Sequence, residues 1–433
     1  MKKIIALILI ACTLCIGCTA TFADGDAANV PEGLRSENLL LTDADSSKVI
    51  YEKNSDSRIA PGGFTKLLTA TVVLTVVNDV NEKVTADAKA VNGYDFSFNN
   101  MGLLPGETVT VSDLMHGMLI YDAGEAANAL AVYCSGSMDS FVEKMNSKAA
   151  EIGCTSSHFT NPSGTPEDDQ YSTLKDIALI VDFAMKDETI RQIVKTKTYK
   201  IAPTNKYSQT RYMNNTNKFV SNASGNTYYS PNAIGVKTSY VSNSDCGIAL
   251  MYESGNSTFL CLTANSPFKD GTNYATEDAK QLIEYAAQYY VSEKVVSKDE
   301  IMAEIKLRNG KEAGKVLLVV PEDMYINLPK GFDKDKIEKK IETNKKVKAP
   351  VTKGDALGQL TVSYNGEKVG STILVADATV SAAPVKGFFA AIGAVFTSWI
   401  FITIVILLIA AFVAYTVMLN KVKRKRSYKS RFR

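Results

Sequence analysis

Histidine and tryptophan are nearly absent: His116, His158 and Trp399 are the whole stock in 433 residues. So few imidazoles exclude a histidine-rich metal centre and make a Ser-His-Asp triad a poor fit. No charge sign dominates either. Lys+Arg number 48 against 46 Asp+Glu, a net of +2, without the basic excess of a nucleic-acid binder. Internal repeats and low-complexity tracts are missing. With 45% hydrophobic and 22% charged residues, the composition excludes a disordered chain, a collagen-like repeat and a small disulfide scaffold. The length sets two or three domains as the prior.

What is present is concentrated at the ends. Met1-Lys2-Lys3, an apolar run from Ile4 to Ala11 and the Thr21-Phe22-Ala23 exit read as a signal peptide over residues 1–23. Cleavage after Ala23 is the first expectation; a lipoprotein signal at Leu9-Ile10-Ala11-Cys12 is the alternative. At the other end no charged residue lies between Lys386 and Lys421. Residues 399–419 are rich in Ile, Val, Leu and Ala. As a helix they span about 30 Å, enough for a hydrocarbon core. Residues 420–433 carry eight basic side chains and no acid, which the positive-inside rule places in the cytoplasm, with the bulk outside. Without signal and tail, 38 basic residues face 46 acidic ones, a net of −8 for the exported body.

Four cysteines remain after the signal: Cys134, Cys154, Cys246 and Cys261. None has a Cys-x-x-Cys or Cys/His metal spacing, and as small buried hydrophobes they need no further role. Between 24 and 291 helical and strand patterns mix. Helices are expected at 65–77, 112–118, 125–134, 139–152, 173–185 and 277–290. Strand-like alternation marks 234–240, 247–252 and 258–263, the last two joined through Ser254-Gly255-Asn256. From 292 to 378, short strand-like segments broken by Gly and Pro suggest a separate small all-β domain. Residues 379–398 form a linker to the membrane.

The most informative stretch is Ala60-Pro61-Gly62-Gly63-Phe64-Thr65-Lys66. It resembles the nucleophile segment of the serine-type D-alanyl-D-alanine carboxypeptidases, the low-molecular-mass penicillin-binding proteins. Further matches follow in order: Pro105-Gly106-Glu107-Thr108-Val109-Thr110-Val111, His158-Phe159-Thr160-Asn161-Pro162-Ser163-Gly164, Gly235-Val236-Lys237-Thr238, and Ala349-Pro350-Val351 in the β region. The resemblance covers most of residues 24–380. It implies an α/β fold of the DD-peptidase and β-lactamase type, with an antiparallel sheet and a helical insert, followed by a small all-β domain and a transmembrane helix. It also implies no metal and no cofactor.

That family carries Ser-x-x-Lys, Ser-x-Asn and Lys-Thr-Gly motifs. Ser and Lys three apart share a helical face, so the amine can take the hydroxyl proton. The second Ser relays protons, the Asn holds the substrate amide, and the last Lys binds the substrate carboxylate. Backbone N–H groups form the oxyanion hole. Here the nucleophile position is Gly63, leaving Lys66 without a partner hydroxyl. The second motif falls on Asp122-Ala123-Gly124, so Asp122 replaces the Ser and Gly124 the Asn. The third keeps Lys237 and Thr238 as substrate-binding candidates but has Ser239 for Gly. An acyl-enzyme cannot form on glycine. Asp122 is expected to bridge to Lys66, reach toward Lys237 and hold the cleft shut.

Other matches are set aside. Ser172-Thr173-Leu174-Lys175 reads as a helix start with Ser172 as cap, and Ser97-Phe98-Asn99 and Ser224-Gly225-Asn226 fall at the wrong places. Glu125 is expected as a helix-start charge, His116 as a helix surface residue and His158 as a packing residue near its turn. The leading expectation is a bacterial, membrane-anchored pseudoenzyme at the cell wall, binding peptidoglycan stem peptides or regulating wall enzymes. The alternatives are an active carboxypeptidase with another nucleophile, and a structural or interaction protein using the β domain and anchor. Nucleic acid is not expected as a partner.

Overall fold

The computed structural model describes residues 30–308, 314–344, 346–382 and 399–429. The signal segment and most of the 379–398 linker lie outside the described residues. The chain divides into two compact units. One runs up to Lys298 and takes in 322–340 and 360–372; the other holds 299–321, 341–359 and 373–433. Helix α8 (Tyr274–Tyr289) passes directly into strand β12 (Tyr290–Val296) with no linker between them.

The first unit is built on a five-stranded antiparallel sheet in the order β2-β1-β9-β8-β7. Its members are β1 (Asn38–Asp43), β2 (Val49–Lys53), β7 (Ala233–Ser242), β8 (Asp245–Ser254) and β9 (Ser257–Ser266). Short pairs β3 (Lys83–Thr85) with β4 (Thr108–Thr110), β5 (Thr198–Ile201) with β6 (Arg211–Asn214), and β10 (Phe268–Lys269) with β11 (Thr272–Asn273) tie down loops. Both sheet faces are covered. Leu39 and Leu41 of β1 pack with Ile248, Phe259 and Leu282 on the α8 side, while Leu40 joins Leu67, Leu114 and Leu130 on the other. The period of two along a strand sends neighbours to opposite faces. Strand β1 was not expected from the sequence because Leu39-Leu40-Leu41 shows no alternation; a strand buried on both faces reads as a continuous apolar run.

The helical insert comprises α1 (Thr65–Val76), α2 (Ala88–Asn92), α3 (Val111–Ile120), α4 (Gly124–Ser135), α5 (Met138–Ile152), α6 (Leu174–Ala184) and α7 (Glu188–Lys195). Helix α5 stops at Gly153, whose φ of +103° suits a residue without a β-carbon. Two caps differ from expectation. Thr110, in a reciprocal box with Asp113, caps α3 in place of Ser112-Asp113, and Thr173 caps α6 in place of Ser172. In each case the residue one or two earlier in the chain, or one later, has the extended backbone a cap needs; Ser172 instead bridges to Ile59 and bonds Ser157.

A second five-stranded sheet has the order β13-β14-β18-β17-β16. Its strands are β13 (Ile301–Lys306), β14 (Lys315–Val319), β16 (Ile337–Thr343), β17 (Ala356–Tyr364) and β18 (Glu367–Ala376). Strand β12 pairs antiparallel with β15 (Met324–Pro329). Helix α9 (Trp399–Lys429) continues ten residues beyond the expected end at 419. Its stretch Phe401–Lys421 is long and apolar enough to cross a membrane, with mean hydropathy 2.7.

Candidate active site

Three segments far apart in sequence meet beside the edge strand β7. A single turn of 3-10 helix, Gly62–Phe64, leads into α1 and puts Lys66 in that helix's first turn. The junction of α3 and α4 supplies Asp122, and β7 supplies Lys237, Thr238 and Ser239. The Lys66 Nζ lies 3.0 Å from Asp122 Oδ1, and the Lys237 Nζ 2.7 Å from the same oxygen. All three residues are buried, at 4%, 5% and 1% exposure for Lys66, Asp122 and Lys237. The expected Lys66 bridge is therefore present, and Lys237 is held at least as closely.

Burial alone would raise the Asp122 carboxyl, but the Lys237 and Lys66 ammonium groups outweigh it and hold its pKa below the ordinary value. For Lys237, burial dominates and lowers its pKa to about 8, with Asp122 opposing and Lys66 adding to the fall. Asp122 adopts φ +67°, a left-handed conformation that Asp tolerates better than most residues. That turn aims the carboxylate inward.

Every substituted motif position has been filled by a neighbour. A β-carbon on Gly63 would press into the Thr238 carbonyl oxygen and sit 3.0 Å from Asp122 Oδ1. The Gly63 N–H, in the position of an oxyanion donor, donates instead to Ser239 Oγ at 3.0 Å. A β-carbon on Gly124 would meet Tyr94 Cζ at 2.5 Å, so the Tyr94 ring occupies the space a longer side chain would need. The Tyr94 hydroxyl donates to the Asn99 carbonyl at 2.8 Å, and Asn99 Nδ2 donates to Asp122 Oδ2 at 3.3 Å. Thr238 Oγ1 is hydrogen-bonded to Thr216 Oγ1 at 2.6 Å, and the Lys237 Nζ also donates to the Thr238 carbonyl. What remains is a cavity of about 10 Å³ lined by Gly63, Lys66, Tyr94, Asn99, Asp122 and Ser163 among others. Such a volume holds about one water molecule.

Three expectations need correction. Asn99 of Ser97-Phe98-Asn99 is not misplaced: its loop folds over the site, a placement set by contacts 23 residues away in sequence. Glu125 lies in the first turn of α4, as expected of a helix-start charge, but not toward solvent. It is fully buried, accepts from the Met101 and Leu103 amides at 2.6 and 3.3 Å, and burial raises its pKa against those bonds. His116 is half-buried on α3 and stacks on Tyr199 with centroids 3.7 Å apart. His158, expected as a packing residue near its turn, has an exposed side chain instead and pairs through its backbone with Tyr171. Thr65 Oγ1 is buried without a hydrogen-bond partner. Tyr94 was missed altogether, since nothing in its local sequence marks it. Among the described residues no cluster of His, Cys, Asp and Glu could hold a metal. The four cysteines are free thiols, three of them buried.

Comparison with known proteins agrees with this geometry. Residues 25–255 match the D-alanyl-D-alanine carboxypeptidase family, peptidase family S11, and residues 290–382 match the C-terminal domain of penicillin-binding protein 5. The chain is 26% identical over 381 residues to the D-alanyl-D-alanine carboxypeptidase DacF of Bacillus subtilis, covering 87% of this chain and 94% of that protein. It is 37% identical over 201 residues to a D-alanyl-D-alanine carboxypeptidase of Streptomyces sp. strain K15, covering 44% of this chain and 66% of that one. Among solved structures, penicillin-binding protein 5 of Haemophilus influenzae superposes with a TM-score of 0.65 at 23% identity, covering 82% of this chain and all of that one. The PBP3 of Streptococcus pneumoniae, described as a peptidoglycan synthesis regulatory factor, gives 0.67 at 20%, covering 81% and 100%. With its fold, its motif positions and more than half its length matched, the chain belongs to the D-alanyl-D-alanine carboxypeptidase family.

Proposed function

We propose that this cell-wall protein is a catalytically inactive member of its family, a membrane-anchored pseudoenzyme that acts by binding or regulating rather than by cleaving. The observation that carries the reading is Gly63. It offers no nucleophile, and strand β7 lies so close that a β-carbon there would strike the Thr238 carbonyl. The amide that would steady an oxyanion is already bonded to Ser239 Oγ. Lys66 and Lys237 share the Asp122 carboxylate, which leaves neither free to take a proton or to grip a substrate carboxylate.

The engagement of Lys66 and Lys237 by Asp122, and of the Gly63 amide by Ser239, supports a role in regulating or scaffolding wall enzymes over gripping stem peptides in the old cleft. The apolar stretch Phe401–Lys421 supports a single membrane anchor, and the basic residues beyond it support a cytoplasmic tail. The test is covalent labelling by a fluorescent penicillin, with an acylating family member as positive control. The expected result is no labelled band. A labelled chain would overturn the reading, and mass spectrometry of the adduct would name the nucleophile of an active hydrolase.

A further inference from the structure

A pocket of about 160 Å³ lies on the α8 side of the main sheet, the face turned away from the lysine cluster. Its floor is apolar: Phe219 and Ile283 are each 3% exposed. The Tyr252 ring, at the end of β8, and the Tyr229 ring, 39% exposed, form its walls. The rim is polar and balanced in charge. Lys280 and Glu284 stand one turn apart on α8, and Ser230 Oγ donates to the Tyr252 hydroxyl at 3.2 Å.

We propose that this pocket binds one pyranose ring of a neutral polysaccharide, which at the wall is the glycan strand. A pyranose offers an apolar C–H face for tyrosine rings and a circumference of hydroxyls that both donate and accept. The rim supplies an ammonium donor, a carboxylate acceptor and hydroxyls of either kind. On the rim itself Lys280 and Glu284 offset each other, while the further cation Lys197 is already engaged, donating to the Tyr229 hydroxyl at 2.9 Å and lying over one face of that ring. An added peptide strand is disfavoured because β8 is paired on both edges, Tyr252 lying opposite Ala233 of β7 and Phe259 of β9. The volume is below that of drug-sized ligand sites, ~300 Å³ and upward, and suits a single ring gripped from a longer chain. The inference uses none of the residues on which the pseudoenzyme reading rests.

The experiment titrates the full-length chain in detergent micelles with peptide-free tetra-N-acetylchitotetraose, read by saturation-transfer NMR and calorimetry. The native chain should bind. Tyr229→Ala should weaken binding about three- to tenfold, the scale of one aromatic contact. Lys280→Gln and Glu284→Gln should each weaken it, while Tyr212→Ala, at an exposed tyrosine outside the pocket, should not. Melting temperatures verify that each variant is folded. No transfer to the native chain, native-like binding by folded Tyr229→Ala, or displacement of the sugar by a stem peptide without glycan would each overturn the proposal. None of these outcomes bears on penicillin labelling, so the two ideas fail separately.

Discussion

Asp122 neutralises two ammonium groups that would otherwise be buried side by side. Removing one partner of such a pair strands the others, so Asp122→Asn should destabilise the fold by about 3–5 kcal/mol in a urea titration. Gly63→Ser should not restore acylation. Its β-carbon collides with the Thr238 carbonyl, so it should cost about 1–3 kcal/mol of stability and leave the chain unlabelled by penicillin. Penicillin labelling of Gly63→Ser would show that strand β7 yields to a side chain at position 63. Lys237 gives a pH signature. Its pKa falls from 10.5 unfolded to about 8 folded. Between those values the unfolded chain binds more protons, so this group makes stability rise with pH across the window and lowers it below about 8. Urea midpoints of the native chain relative to Lys237→Met, taken at pH 7 and at 10, should diverge in that sense.

At the scale of elements, closure is the joint work of β7, the 62–64 turn and the loop from 94 to 103. That loop is held by Tyr94 over Gly124, by Asn99 on Asp122 and by Glu125 beneath. Glu125→Ala would leave the Met101 and Leu103 amides buried without acceptors, about 1–3 kcal/mol for each such group. Hydrogen exchange at those two amides should speed up, and a loop whose exchange is unchanged would show that Glu125 does not anchor it. The helices were legible because their signals are local: apolar spacing and, for α5, a Gly stop at 153. Strands β1, β12 and β15 were not, because pairing partners up to 226 positions away decide whether an apolar run lies in a sheet, as for Asn38 opposite Ala264.

For the whole molecule, the single tryptophan stands at the start of α9. A chain truncated before Trp399 should emit as tyrosine only, and tryptophan-like emission from it would contradict the boundary. If the tail is cytoplasmic, protease added to intact cells stripped of their wall should spare an epitope fused after Arg433 until the membrane is permeabilised. The near-zero net charge conceals an uneven distribution, a net of −8 for the residues between the first 23 and the tail against the basic tail, since the two nearly cancel in the sum.

The sequence by itself determined the apolar span, the basic tail, the family resemblance and a glycine at the expected nucleophile position. Each depends on residue identity or on composition over a short window, and no folding is needed to see that glycine has no hydroxyl. It also sufficed for the Asp122–Lys66 pairing, because the family motifs placed those positions together. Only the tertiary structure decided how completely the site is filled. The Gly63 amide meets Ser239 across 176 residues, and the Tyr94 ring lies where a side chain at position 124 would have to go. Steric contact and hydrogen-bond occupancy between distant segments depend on tenths of an ångström set by the packing of α1, α4 and β7, and no local pattern encodes them.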